Sequence, residues 1–587
     1  MMSTLHGIAA AGGIAIGPCI LYDPQPPLIP RISITAETVS AEKERLAEAI
    51  HASMEEIRQL RDVMIARVGK AEADIFDAHL LMLEDEALHE SAYQQIEAEL
   101  KNAAWAIWDA AEVFAQALTE LSDSYFQARA ADIHDLRVRI VSHLLDSPGR
   151  RLHHIQTPVI IAARDLLPSD TAGLDATLVL GLITEQGGPT SHTAILARQM
   201  GIPAIVGVSG LLATLHANEP STLHIALNGT TGHVVINPHE HTRATYERDL
   251  QEYRRHRQEL QRMRHLPAIT PDSLTIELAA NIGREQDASV ALEAGASGIG
   301  LFRTEFLFLD RNTPPDEEEQ CSVYRNVLET FADKTVIVRT LDIGGDKTIP
   351  YLDLAFESNP FLGLRGIRLC LAEPYQHLFR TQLRALLRAA ERSKAAPWLM
   401  FPMIDDLREF RQAKAFVQET ERALLQEGCL SGPVLSRIRL GIMVETPAAA
   451  LLTDILAREV NFFSLGTNDL TQYTLAADRM NARLAELHRP FHPALMRSIA
   501  HVVTTARQHQ RWVGICGEMA GDARATAFLL GLGINELSMD SSSLNEVKHV
   551  IRHTSQTQAQ EVVQRVLAAE HAHEIEQILM STLPHEV

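Results

Sequence analysis

Two places in the chain hold residues whose types and spacing could do chemistry. The first is Gly187-Gly188-Pro189-Thr190-Ser191-His192-Thr193, which follows the apolar run Thr177–Ile183 and opens into the helical pattern Ala194-Ile195-Leu196-Ala197-Arg198. Backbone N–H groups at such a turn and helix start point outward unpaired, and the helix dipole there favours an anion. An imidazole among them can accept a phosphoryl group and have the new charge stabilised at once. Thr190, Ser191 and Thr193 add hydroxyl donors on both sides. A plain Gly-Pro turn with a capping serine needs no such crowding, so the segment reads as a phosphohistidine loop.

The second place is a set of charges that recurs at one phase of successive apolar runs. Arg303-Thr304-Glu305, Arg339-Thr340-Leu341-Asp342, Glu445-Thr446-Pro447, Gly466-Thr467-Asn468-Asp469 and Cys516-Gly517-Glu518 each follow such a run. Arg303 and Arg339 offer planar forks suited to phosphate or carboxylate. Glu445 and Asp469 are hard oxygen ligands of the kind a magnesium ion bridging a phosphate needs. Asn468 is a neutral donor beside them, and Arg479 supplies another cation. So does Lys347 in Gly344-Gly345-Asp346-Lys347, a loop without the spacing of a Walker A site. Arg365 lies in Gly363–Arg368, which reads as an excursion after the third strand. Cys516 at a strand end could give or take a proton; its other reading, a small buried residue, stays open on position alone.

These residues need a frame. Eight short apolar runs alternate with helical patterns after residue 269: Ile276–Ala280, Gly298–Phe302, Val336–Thr340, Trp398–Pro402, Leu440–Val444, Phe462–Leu465, Val513–Cys516 and Glu536–Met539. Eight parallel strands over about 270 residues predict a (β/α)8 TIM barrel, whose chemistry collects at the carboxyl ends of the strands. Residues 30–145 are almost free of glycine and show apolar positions three and four apart, which predicts several antiparallel helices. From Thr157 the texture changes to short strands at Pro158–Ala162, Leu178–Leu180, Ala204–Gly207 and His233–Ile236, with Cys19–Tyr22 returning to the same sheet. The expected fold class is therefore α/β multidomain. A phosphohistidine α/β domain (1–29 and 146–238) carries an all-helical insert (30–145). A charged linking helix (239–268) leads to the C-terminal barrel (269–587).

Composition bounds the rest. At 587 residues the chain is too long for one core. An apolar content of 46% describes an ordinary globular protein. A net charge of -22 argues against nucleic-acid binding through phosphate neutralisation and suits a partner with a basic face. Five scattered cysteines without a CxxC read as a reducing cytoplasm with no structural zinc. Gly7–Tyr22 lacks a basic start and is broken by glycines and Pro18, so it reads as folded strand rather than signal peptide. No apolar run reaches the about 18 residues of a membrane span, so no membrane insertion is expected. His153-His154 and His239-Glu240-His241 have no third ligand nearby and read as solvated connections.

At this point the chain resembles the enzyme I family of the bacterial phosphoenolpyruvate:sugar phosphotransferase system, essentially end to end. The resemblance rests on Gly187–Gly207, Phe302–Phe308, Val338–Lys347, Gly441–Ala449, Ser464–Tyr473 and Cys516–Asp522. It implies that His192 is phosphorylated through Nε2 and that Arg303, Arg339, Asn468, Asp469 and Arg479 hold phosphoenolpyruvate. It implies Mg²⁺ on Glu445 and Asp469, and protonation of the enolate by Cys516 to give pyruvate. Thr171 matches a threonine that hydrogen-bonds the histidine, with Lys347 and Arg365 in support. The phosphoryl group would then pass to a histidine of the carrier HPr, docked on the helical insert near His79–Leu88, where Glu84, Asp85 and Glu86 suit a basic partner. Family members form homodimers through the barrel domain.

Pro189 stands where many members have arginine, which removes a donor and a positive charge beside His192. A dikinase would need a nucleotide-binding domain, for which the insert is too short and too glycine-poor. A signalling protein with a dead barrel is argued against by intact Arg303, Arg339, Glu445, Asp469 and Cys516. A paralogue serving a dedicated HPr-like carrier is the alternative within the family.

Overall fold

Apolar alternation and two-sided burial build the sheet of the first of two units, Met1–Arg255 and His256–Val587. The structure is a computed structural model that describes residues 2–584 except 24–26, 69, 120–123, 146–151, 153–154, 167, 172–173, 189–190, 218–222, 310, 346–348, 350, 353, 356, 485 and 488. For 64–68, 70–75, 124–131, 168–169, 192, 199 and 482 it describes the backbone alone. The predicted positions Pro189, Thr190 and Lys347 therefore lie outside the described residues, as does the His153-His154 pair.

The first unit contains β1 (Ser3–His6), β2 (Ile8–Ala11), β3 (Ile14–Tyr22), β4 (Val159–Ala163), β5 (Val179–Thr184), β6 (Ala204–Val206), β7 (His224–Asn228) and β8 (His233–Ile236). They form one sheet in the order β1-β8-β7-β3-β4-β5-β6-β2. The run β3-β4-β5-β6 is parallel and the flanks are antiparallel. Every residue of β4 is buried, as a continuous apolar strand in a parallel sheet should be. Val159, Ile161 and Ala163 pack on one face with Ala194 and Ala197; Ile160 and Ala162 pack on the other with Leu211 and Leu215. Cys19–Tyr22 does return, pairing with Ile160–Ala163. Strand β7 has no counterpart in the sequence reading, although Asn228-Gly229 after it is a turn signal. The Asn228 side-chain oxygen accepts from the N–H groups of Thr230 and Thr231 and closes that hairpin.

Among the described residues, five α-helices lie between β3 and β4, Val39–Val68, Lys70–Leu83, Glu86–Ala98, Ala103–Thr119 and Ser124–Leu144. They share a core of their own, with Leu46, Ile57, Phe76, Ile107 and Ile140 among its members. The helix Glu240–Arg262 crosses the division between the units in sequence and buries none of its residues.

The second unit holds β9 (Glu277–Ile282), β10 (Gly298–Arg303), β11 (Val336–Arg339), β12 (Trp398–Phe401), β13 (Arg439–Val444), β14 (Phe462–Leu465), β15 (Trp512–Ile515) and β16 (Glu536–Met539). These close into a parallel barrel, with β16 pairing back to β9. All eight predicted runs are present. Gly363–Arg368 is an excursion after β11, ending in the short helix Ile367–Leu371. Helices such as Gln376–Arg392 and Pro493–Gln508 cover the outside through one large apolar cluster. Inside the barrel Leu301, Ile337, Met400, Met443, Phe462 and Cys516 form a plug, so the interior is packed core and the chemistry is pushed to the rim.

One carboxyl breaks that apolar interior. Glu536, at the start of β16, is fully buried, and neither side-chain oxygen has a hydrogen-bond partner among the described residues. Gly514 on β15 leaves it room, since a Cβ there would come within 3.2 Å of Oε1. Burial, and secondarily Glu277, hold its pKa well above the usual carboxylate range. An acid with a raised pKa makes the folded state bind more protons, so its cost is absent below the unfolded pKa and grows as pH rises toward the folded one. Glu536→Gln is therefore expected to raise the melting temperature more near pH 8 than near pH 5, where about 1 kcal/mol corresponds to roughly 2–4 °C. An equal gain at both pH values in thermal unfolding would contradict a neutral Glu536.

Candidate active site

Parallel register sets the rim. Arg303 at the end of β10 pairs with Arg339 at the end of β11, which puts the two arginines on neighbouring strands at one level of the rim. Val444 pairs with Leu465, and Leu465 with Ile515, so Glu445, Gly466 and Cys516 all emerge one step beyond the sheet. Around these ends lies a cavity of about 250 Å³. Arg303, Arg339, Arg365, Glu445, Asn468, Asp469, Arg479 and Cys516 all line it, so the barrel brings the predicted set to one mouth. Three lining carboxylates, Glu305, Asp342 and Glu518, carried no assigned role in the sequence reading.

Two of them hold Arg339. Its Nη2 donates to Glu305 Oε1 at 2.5 Å and its Nη1 lies 3.0 Å from Asp342 Oδ2. Burial works against this charge, but Glu305, Asp342 and Glu445 outweigh it and keep the guanidinium firmly protonated. Asp342 is shared: Arg365 Nη2 approaches it at 3.1 Å and reaches Asp469 at 3.4 Å. Arg365 also donates from Nη1 to the Tyr473 hydroxyl at 3.2 Å, which itself donates to the Phe361 carbonyl at 2.5 Å. Arg479 lies 3.6 Å from the other oxygen of Asp469. Gly366 makes the approach of Arg365 possible. Its φ of +57° suits glycine, and a Cβ there would press on Met403 at 3.0 Å.

Glu445 is buried and accepts a 2.5 Å hydrogen bond from the Met403 N–H. Met403 itself holds φ +56°, a strained conformation for a residue with a side chain. Burial first, then Asp469 and Asp342, raise the Glu445 carboxyl above its usual range, against Arg339 and Arg365. Among the described residues, five carboxylates and four arginines line the cavity. That excess, with Asp469 adding to the cost of ionising Glu445, fits a divalent cation held by Glu445 and Asp469 together with ligand oxygens. Asn468 and Glu518 bind reciprocally, Nδ2 to Oε1 and Oδ1 from the N–H, each at 3.0 Å. Cys516 is 2% exposed; burial pushes its thiol up to about 11, eased by a hydrogen bond from Ser464.

In the other unit, Ser191 caps the helix His192–Met200, with its Oγ accepting from the Ala194 N–H, and Gly201 ends it in the left-handed region. His192 thus occupies the first helical position, where backbone donors are unpaired. Thr171 is buried at the end of the short helix Pro168–Thr171. Glu84, Asp85 and Glu86 are exposed where one helix gives way to the next, with Asp85 capping the helix that Glu86 opens. His79 is buried beside Asp132, 3.3 Å away, and so is not part of that surface.

A parallel barrel with arginines, paired carboxylates and a thiol at its mouth, joined to a histidine-bearing sheet unit, has the architecture of the enzymes that use phosphoenolpyruvate. Three family models match in order: "PEP-utilising enzyme, N-terminal" over 6–129, "PEP-utilising enzyme, mobile domain" over 155–232 and "PEP-utilising enzyme, PEP-binding domain" over 257–556. The chain is 43% identical to the phosphoenolpyruvate-protein phosphotransferase of Geobacillus stearothermophilus over 97% of both chains. It is 42% identical to that of Staphylococcus carnosus over 98% of both, and 41% to that of Enterococcus faecalis over 97% of both. It belongs to the phosphoenolpyruvate-protein phosphotransferase family.

Glu305 is the clearest residue to test here. Glu305→Leu removes one of the two anchors of a buried arginine and is expected to cost about 3–5 kcal/mol of stability. Urea unfolding reads this; a loss below about 1 kcal/mol would mean that Asp342 alone suffices to hold Arg339.

Proposed function

We propose that the chain transfers the phosphoryl group of phosphoenolpyruvate to His192 Nε2 and then to a histidine of an HPr carrier protein, the first step of the sugar phosphotransferase system. The observation that carries this reading is the convergence of four arginines, Glu445, Asp469 and Cys516 on one cavity at the barrel mouth. Arg303, Arg339 and Arg479, with Asn468, hold the phosphate and carboxylate of the substrate. Arg365 supports them through Asp342 and Asp469. The P–O bond to the enol breaks as the P–N bond to His192 forms, through a transition state that needs positioning and charge neutralisation more than covalent help. Cys516 then gives its thiol proton to the methylene carbon of the enolate, and pyruvate leaves.

Glu445 and Asp469 would hold Mg²⁺, which when bound would supply charge neutralisation at the phosphate. Thr171 steadies the histidine. The unit with the barrel (269–587) binds substrate and makes the homodimer. Residues 1–29 and 146–238 carry His192, 30–145 dock the carrier, and 239–268 form the link. The exposed acidic turn Glu84–Glu86 and the net charge of -22 support a basic carrier as partner. No helix among the described residues is long and apolar enough to cross a membrane, and we place the reaction in the cytoplasm, where the five unpaired cysteines are at home.

His192→Ala is expected to abolish acid-labile labelling by radioactive phosphoenolpyruvate while phosphoenolpyruvate binding at the barrel persists; loss of both would contradict this division of labour. In the unaltered chain the label should chase onto HPr, and label that stays on His192 would point to a dedicated carrier. Cys516→Ala is expected to slow pyruvate formation by about 10²-fold or more, as removal of a general acid does, and an unchanged rate in a coupled assay would take Cys516 out of the mechanism.

A further inference from the structure

The thiol of Cys516 has a companion to which no role has been given. Ser464 lies on β14, beside Gly514 of β15, so Ser464 and Cys516 are diagonal neighbours on the inner face of the barrel. The serine is fully buried, and its Oγ donates to Cys516 Sγ at 3.2 Å. The thiol in turn is directed at the Leu465 carbonyl oxygen, 3.7 Å away. Beneath both is the apolar plug with Met443, Phe462 and Leu301. Among the described residues, no second side chain donates to Sγ. Arg339 and Arg303 favour a thiolate from a distance and Glu445 disfavours it, and Arg339 is committed to Glu305, Asp342 and the Met443 sulfur.

An acid that protonates carbon from such a place meets a physical difficulty. When the S–H bond breaks and the new C–H bond forms at the methylene carbon of the enolate, the electron pair stays on sulfur. A thiolate is then left against apolar walls, and an ion there without a donor is costly. A hydroxyl already aimed at the sulfur needs no reorganisation to meet the charge, and hydrogen bonds to a charged partner are roughly twice as strong as neutral ones. The same contact fixes the torsion of the thiol: its S–H goes to the Leu465 carbonyl, which can only accept, and that leaves the serine hydroxyl to donate to the sulfur.

We propose that Ser464 is a positioning residue for the proton-transfer step: its hydroxyl holds Cys516 Sγ in place and donates to the thiolate once the proton has gone to carbon. The serine neither gains nor loses a proton, and the thiol is restored from water after pyruvate leaves. This rests on Cys516 as the proton donor.

Ser464→Ala removes one oxygen and leaves the strand intact. It is expected to lower kcat for pyruvate formation about tenfold with KM for phosphoenolpyruvate unchanged. Alkylation of Cys516 by iodoacetamide near pH 8, followed on the peptide that carries it, should also slow about tenfold, as a one-unit rise of the thiol pKa demands. Ser464→Thr keeps the hydroxyl and should restore both. Unchanged alkylation and kcat in Ser464→Ala would overturn the proposal, and so would equal damage from Thr and Ala, which would mark a packing role. A normal rate in Cys516→Ala would instead overturn the assignment of the donor, while alkylation in Ser464→Ala would still report on the contact itself.

Discussion

The buried guanidinium of Arg339 is the constraint on which the rest of the site depends. A charge with 6% of its surface exposed must be answered within the barrel wall, and Glu305 and Asp342 answer it from the two sides. Those carboxylates then dictate their surroundings. Asp342 is shared with Arg365, Arg365 with Asp469, and Asp469 with Arg479, so a chain of alternating charges runs round the rim. Such a chain is rigid because each member has lost its alternatives. It is also expensive, since desolvating charges sets a large penalty against the attraction between them. A protein that keeps it obtains fixed cationic forks in a dry cleft, which is what electrostatic stabilisation of a transferring phosphoryl group requires.

How the backbone serves this network explains features that otherwise look arbitrary. Met403 sits at positive φ so that its N–H meets Glu445. Gly366 lacks a side chain because Met403 and Asp342 fill the space it would need. The apolar plug of Met400, Met443 and Phe462 beneath the cavity keeps water from entering from below. Strain, a glycine and an apolar floor thus belong to one device.

The barrel was legible in the sequence because its strands are short apolar runs, most of them ended by a polar residue, and because a carboxyl end is where a polar residue belongs. Arg303, Arg339, Glu445, Asp469 and Cys516 were legible for the same reason. Glu305 and Asp342 stood in plain view as strand-end charges, yet their part as anchors of Arg339 depends on contacts across neighbouring loops. The Ser464–Cys516 contact depends on the register of β14 against β15, which joins residues 52 apart in sequence. Strand β7 was missed because His224–Asn228 is short and begins and ends on polar residues, although its middle is buried. Glu536 was invisible for a different reason: a glutamate opening a strand reads as solvated until the glycine beside it on β15 shows the room prepared for it.

The order of strands in the first sheet has a consequence for how the chain comes to be folded. The helices between β3 and β4 contact mainly one another and have a core of their own. Strand β1, by contrast, pairs with β8, so Ser3 waits for Ile236, and in the barrel Glu277 waits for Glu536. On a ribosome adding about 5–20 residues per second, the helical part is complete while both ends of its supporting sheet are still open edges. The first strands to be made are therefore among the last to be paired. For those seconds Ile8 and Ile20, both still partly exposed in the finished fold, belong to unpaired strands of the kind that other chains can capture.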